Sequence, residues 1–131
     1  MITLQKQPTP SSCSQTCLAM ALDVPVEQVI AKFGDRGMSH QEFLAAIAAC
    51  GFLHNQFLFG SLIISGLYWL TVPSLNNRAG SHKVLVDYNA DMGCSGFTVY
   101  DPSTKETYRP DGSDLLSWSN PILFFQGGTL P

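Results

Sequence analysis

Charge is scarce in this chain of 131 residues: Asp, Glu, Lys and Arg make up 13%, and the net charge is −3. Such a balance gives no electrostatic reason to expect nucleic-acid or anionic-membrane binding. No glycine-rich phosphate loop occurs, no internal repeat, and no low-complexity linker. Cysteine is too thin for a disulfide scaffold, four in the whole chain. Cys13 and Cys17 with a distant histidine do not make a convincing zinc spacing. No metal or cofactor is therefore expected. The cysteines are scattered over helix and turn positions, which points to reduced thiols and a cytoplasmic-type compartment. Residues Met1 to Lys6 contain no apolar signal-like core. From Phe43 to Asn77 there is no charged residue at all. Its apolar part, Phe57 to Val72, is broken by Gly60, Ser61, Ser65 and Gly66 and falls short of the roughly 20 residues that a membrane-spanning helix needs. A buried core segment is expected there, with no membrane insertion.

What is present reads as one domain over residues 1–131, helices first and strands after, an α+β pattern. A helix is expected from Cys13 to about Leu22, with Cys17, Leu18, Met20 and Ala21 inward. Ser12 followed by Gln15 reads as its capping box. Pro25 fits the first turn of a second helix carrying Val26, Val29, Ile30 and Phe33, with Gly34 as its stop. Ser39 and Glu42 form another capping box. They start a third helix with Phe43, Leu44, Ile47 and Ala48 inward, ended by Gly51. Strands are expected at about 52–59, 68–75, 82–88, 96–101, 106–109 and 122–125. Residues 60–67 read equally as strand or short helix, and 126–131 as a loose tail.

Chemistry concentrates around Cys13. A thiol attacks as its thiolate, and the free N–H groups and dipole of a helix N-terminus favour that charge. A cysteine nucleophile also needs a base, and the base needs an orienting group. The chain has three histidines. His40 near a helix start and His54 beside Asn55 and Gln56 read as surface residues. His82 opens an alternating strand. If strands 82–88 and 96–101 pair symmetrically around their turn, Val86 faces Phe97, Val84 faces Val99 and His82 faces Asp101. Opposed residues share a face, so Asp101 can orient the imidazole. Asp87 points to the other face and Asn89 falls in the turn. A side-chain amide near Cys13 could donate to an oxyanion; Gln7 and Gln5 both qualify.

Gln7, five intervening residues, Cys13, then Cys17-Leu18-Ala19-Met20 resembles the start of the papain-like peptidase domains of bacteriocin exporters, the double-glycine leader peptidases. Gly80-Ser81-His82-Lys83-Val84-Leu85-Val86 resembles that family's Gly-His and apolar strand, and Phe97-Thr98-Val99-Tyr100-Asp101-Pro102 its strand ending in Asp-Pro. The resemblance spans about residues 5–125. It implies a papain-like cysteine peptidase fold, N-terminal helices packed on an antiparallel β-sheet. It also implies Cys13 as nucleophile, His82 as base, Asp101 as orienter, Gln7 rather than Gln5 as oxyanion donor, and a peptide or protein substrate. Ser12, Ser14 and Thr16 depart from the family's Asp, Gly and Ala, and Ser81 is inserted before His82. These changes leave the four catalytic side chains in place and bear on substrate preference. Gly127-Gly128 reads as a flexible end, with self-processing as the sharper alternative. The same triad could serve a deamidase or an acyltransferase, and a relative that kept only the fold would bind peptide without cutting it.

Overall fold

A computed structural model describes residues 2–56, 64–73, 81–103, 108, 122–125 and 127–131. Three helices come first: α1 (Cys13–Leu22), α2 (Val26–Phe33) and α3 (His40–Ala49). Five strands follow: β1 (His54–Gln56), β2 (Gly66–Pro73), β3 (Ser81–Tyr88), β4 (Phe97–Tyr100) and β5 (Ile122–Phe124). They form one antiparallel sheet in the order β1-β5-β2-β3-β4. The architecture is α+β, as expected. The strand anticipated at 106–109 lies outside the described residues except Tyr108. Residues 60–67 are described only from Ile64, and Gly66 and Leu67 there open β2.

Both faces of the sheet are covered. Strand alternation sends Leu67, Trp69, Leu85, Ile122 and Phe124 towards the helices, where they pack with Cys17, Leu18, Met20, Val29, Phe43 and Ile47. Tyr68, Leu70, Val72, Val84, Val86 and Leu123 form a second cluster on the other face. This explains the apolar run Leu67–Leu70 along β2, because a strand buried on both sides has no polar face to show. Phe43 stacks on Trp69 at 4.1 Å between ring centroids, and Phe124 closes the group edge-on. Among the described residues, no helix is long and apolar enough to cross a membrane.

The helices differ from their expected forms in instructive ways. Helix α1 is not amphipathic: Ser14 to Met20 are all buried, polar and apolar alike. It runs through the molecule between α2 and β3, and its polar residues find internal partners. Thr16 donates from Oγ1 to the Ser12 carbonyl at 2.7 Å. Gln15 donates from Nε2 to the carbonyls of Gly34 and Arg36. Gln15 is thereby taken from the capping box assigned to it, and Ser12 makes no side-chain cap. Its hydroxyl instead closes the preceding turn, donating to the Thr9 carbonyl at 3.0 Å and accepting from the Thr9 N–H. Pro25 is the N-cap of α2 rather than its first residue. The Ser39–Glu42 capping box is formed in full. Along α3, Ala46 rather than Ala48 turns inward.

The end of the chain is docked rather than loose. Thr129 N–H donates to the Cys50 carbonyl at 2.8 Å, and Leu130 packs on the helix-side core. Gly128 lies so close to Phe52 that a Cβ there would meet the ring at 2.6 Å.

Candidate active site

Four separate segments meet beside Cys13. The first runs into α1. Backbone N–H of Gln7 donates to the Pro102 carbonyl at 2.8 Å, tying this segment to the residue after Asp101. The Gln7 amide then donates from Nε2 to the Thr9 carbonyl at 2.8 Å, the same oxygen that receives the Ser12 N–H and hydroxyl. Gln7 is thus clamped to the turn that delivers Cys13. Its second amide N–H has no assigned acceptor in that arrangement, and its Oε1 is buried without a partner. Gln5 is engaged elsewhere. It spans the α1–α2 connection, donating to the Val24 carbonyl at 2.7 Å and accepting from Val26 N–H at 2.9 Å, where it caps α2.

The second segment is α1 itself. With Ser12 turned back, the first N–H groups of the helix carry no side-chain cap. An uncapped helix start is a site of positive potential. Cys13 sits there half-buried, whereas Cys17 one turn on is fully buried. The described cysteines Cys13, Cys17 and Cys50 are all free.

The third and fourth segments are the entry of β3 and the residues after β4. The hairpin between these strands does not have the symmetric register. Val86 pairs with Val99, and Tyr88 with Phe97. The ladder is therefore two residues out from the expected pairing of Val86 with Phe97. The cause lies in the turn. Ala90–Ser95 coils into a 3-10 helix, broken at Gly93, and closes with Asn89 N–H donating to the Gly96 carbonyl at 2.9 Å. Coiling consumes more chain than a plain loop. A slip of two preserves every residue's face, where a slip of one would invert it. His82 and Asp101 become diagonal neighbours instead of opposed ones, still within side-chain reach. Nε2 of His82 meets Oδ1 of Asp101 at 2.5 Å, with both side chains buried.

Asp101 is held from two further directions. Its Oδ1 accepts the Ser103 N–H at 2.8 Å, and its Oδ2 accepts the Tyr108 hydroxyl at 2.7 Å. Tyr108 was invisible as a site residue in the sequence, because nothing local marks a lone tyrosine as a partner of a carboxylate seven residues earlier.

Cys13 completes the arrangement. Burial pushes its thiol up, but the neighbouring His82 side chain, the Lys83 backbone and then the charges of His82 and Lys83 favour the thiolate. The net result lies below the ordinary thiol value. Cys17 goes the other way, pushed well up by full burial and by the negative charges of Cys13 and Asp101. Burial also raises Cys50. One imidazole therefore bridges a thiol biased to thiolate and a buried carboxylate.

His54 is exposed at the edge of the sheet, as expected. His40 is not the plain surface residue anticipated. It is half-buried, with its ring 6.0 Å from Trp69, and burial together with the nearby Lys83 charge lowers its imidazole below the usual value. A cavity of about 450 Å³ lined by Ser65, Asp87, Tyr88 and Phe125 lies at the opposite end of the β2–β3 ladder from His82. Among the described residues that line it there is no thiol or imidazole.

The chain matches no family model and no curated protein.

Proposed function

We propose that this chain is a small cysteine peptidase of papain-like fold, hydrolysing a peptide or isopeptide bond through a thioester. The observation that carries the reading is the single imidazole shared between Cys13 and Asp101, with Nε2 committed to the carboxylate at 2.5 Å. That commitment leaves Nδ1 as the nitrogen for the sulfur. The similarity of the Gln7–Met20, Gly80–Val86 and Phe97–Pro102 segments to double-glycine leader peptidases supports the same chemistry.

The steps follow from the positions. The Cys13 thiolate attacks the scissile carbonyl, and the carbonyl π electrons move to oxygen. The oxyanion is received by the Cys13 N–H at the uncapped start of α1, with the second amide N–H of Gln7 as the other donor. His82, carrying the proton taken from the thiol, gives it to the leaving amine as the C–N bond breaks. Water then attacks the thioester with His82 as base, the acid product leaves, and the proton returns to sulfur. Asp101 holds the tautomer and offsets the imidazolium charge throughout.

Intact-mass measurement after incubation with an electrophilic peptide probe, followed by peptide mapping, tests the reading. One adduct on Cys13 is expected, formed readily at pH 6, with Cys17 unmodified. Preferential adduction of Cys17 would sink the assignment. On a cleaved substrate, Cys13→Ala abolishes turnover and leaves the fold intact. Gln7→Ala lowers kcat by about 10²-fold with KM little changed, because an oxyanion donor acts in the transition state. Identification of products by mass separates hydrolysis from deamidation or acyl transfer at the same triad.

A further inference from the structure

The sequence marks the loop between α2 and α3 only as a helix stop at Gly34 and a cap at Ser39. In the fold that loop is fastened to the turn that delivers Cys13. Oδ1 of Asp35 accepts two hydroxyls from the turn, Thr9 Oγ1 at 2.7 Å and Ser11 Oγ at 3.0 Å. Just inside α1, Gln15 donates to the carbonyls on either side of Asp35, those of Gly34 at 2.9 Å and Arg36 at 2.6 Å. Arg36 is itself paired with Glu42, and among the described residues no cation forms an ion pair with Asp35. Its carboxylate serves the hydroxyls instead. Pro8 and Pro10 lack an N–H, so the stretch around Thr9 has few backbone donors to fix it. Side-chain hydroxyls supply the tie.

We propose that Asp35 is a positioning residue for the oxyanion site, acting on Gln7 through Thr9. The relay is short. Asp35 fixes the Thr9 side chain, and the carbonyl of the same residue accepts the Gln7 amide at 2.8 Å. That carbonyl also takes the Ser12 N–H at 3.3 Å and the Ser12 hydroxyl at 3.0 Å, immediately before Cys13. Thr9 is thus the point where the α2–α3 loop, the amide and the start of α1 are joined. A carboxylate suits the task because it only accepts, and hydrogen bonds to an ionised acceptor are roughly twice as strong as neutral ones. Without Asp35 the Thr9 carbonyl is free to turn with its peptide, and the Gln7 amide goes with it. An oxyanion donor displaced by ~1 Å loses much of its effect. The inference rests on the peptidase reading, in which Gln7 is the second oxyanion donor.

Two measurements test it, and the first needs no hydrolysis. The side-chain amide resonances of Gln7 are identified by NMR of isotope-labelled protein from their loss in Gln7→Ala. Asp35→Ala is expected to move them towards the values of a solvated amide, while those of Gln5, engaged at α2, stay in place. On a cleaved substrate Asp35→Ala lowers kcat about tenfold with KM little changed. Its rate of Cys13 alkylation by iodoacetamide, a displacement that forms no oxyanion, stays within about twofold of native. In the Gln7→Ala background Asp35→Ala adds less than about twofold, where independent effects would multiply. Asp35→Asn keeps an acceptor oxygen and restores most of kcat. Thr9→Val is the second variant, read the same way if Asp35→Ala does not fold. Gln7 resonances that stay put in folded Asp35→Ala overturn the role of Asp35 and leave the peptidase reading standing. So does an alkylation rate that falls as far as kcat, or multiplication of the two effects in the double variant. A Gln7→Ala variant with native kcat, or a native Cys13 that resists alkylation, overturns both.

Discussion

At the scale of single residues, the carboxylate of Asp101 has to do one task in a crowded place. It accepts from His82, from the Ser103 N–H and from the Tyr108 hydroxyl. The last two cannot transfer anything to substrate. They hold the oxygen at the imidazole. Asp101→Asn is therefore expected to cost far more activity than stability, because an amide presents an N–H where the imidazole N–H needs an acceptor. Tyr108→Phe removes one donor and leaves the carboxylate in place. A fall in kcat of about tenfold or less is expected, against 10²-fold or more for Asp101→Asn, with urea midpoints measured beside both. If Tyr108→Phe matched Asp101→Asn in kcat, Tyr108 would belong to the reacting group itself.

Elements set where those residues stand. The β3–β4 hairpin is the part on which the site depends most, and its register is governed by the 3-10 turn. Gly96 is essential to that turn: a Cβ there would lie 2.1 Å from the Asn89 carbonyl oxygen, a backbone atom with nowhere to go. Gly96→Ala is expected to cost about 1–3 kcal/mol, and to lower kcat in the fraction that remains folded, because Asp101 is carried on the strand that follows. The start of α3 gives the opposite case. Ser39→Ala breaks a complete capping box and should cost about 1 kcal/mol, roughly 4 °C in Tm. Turnover of the folded protein should change less than twofold. Thermal melts and kcat on the same preparations distinguish the two, and equal losses of kcat would contradict the separation of roles.

Over the whole molecule, the chain closes on itself at the helix-side core. The last strand, β5, enters between β1 and β2, and the residues after it return to the end of α3. Leu130 adds apolar contact to the core that carries Phe43 and Trp69, and the Thr129–Cys50 hydrogen bond anchors it. A variant ending at Gln126 is expected to lose about 1–2 kcal/mol, from one partly buried leucine and one hydrogen bond. Its Cys50 thiol, now pushed up by burial, should react faster with alkylating reagents. An unchanged urea midpoint in that variant would restore the reading of 127–131 as a loose end.

What could be read from the sequence was whatever is encoded by local pattern. The Ser39–Glu42 cap, the helix stops and the alternation of β3 are determined by neighbours three or four residues apart, or two. So is the parity that sets His82 and Asp101 on one face, which survived a register slip of two for that reason. The papain-like assignment and the catalytic roles remain proposals that the α+β architecture and the Cys13–His82–Asp101 contact support. Tertiary structure alone decided which hydrogen bonds the polar residues around α1 would make. Ser12 and Gln15 match a capping box by local pattern, but in a helix buried on all sides Gln15 is satisfied by the carbonyls of Gly34 and Arg36, and no side-chain cap forms. The bonds of Gln5 to the α1–α2 connection were decided in the same manner, and they agree with the preference for Gln7 that the resemblance already implied. Tyr108 became visible only in the fold. Its significance lies in its partner, the carboxylate of Asp101 after β4, and the pattern of neighbouring residues does not encode what a side chain meets across the core.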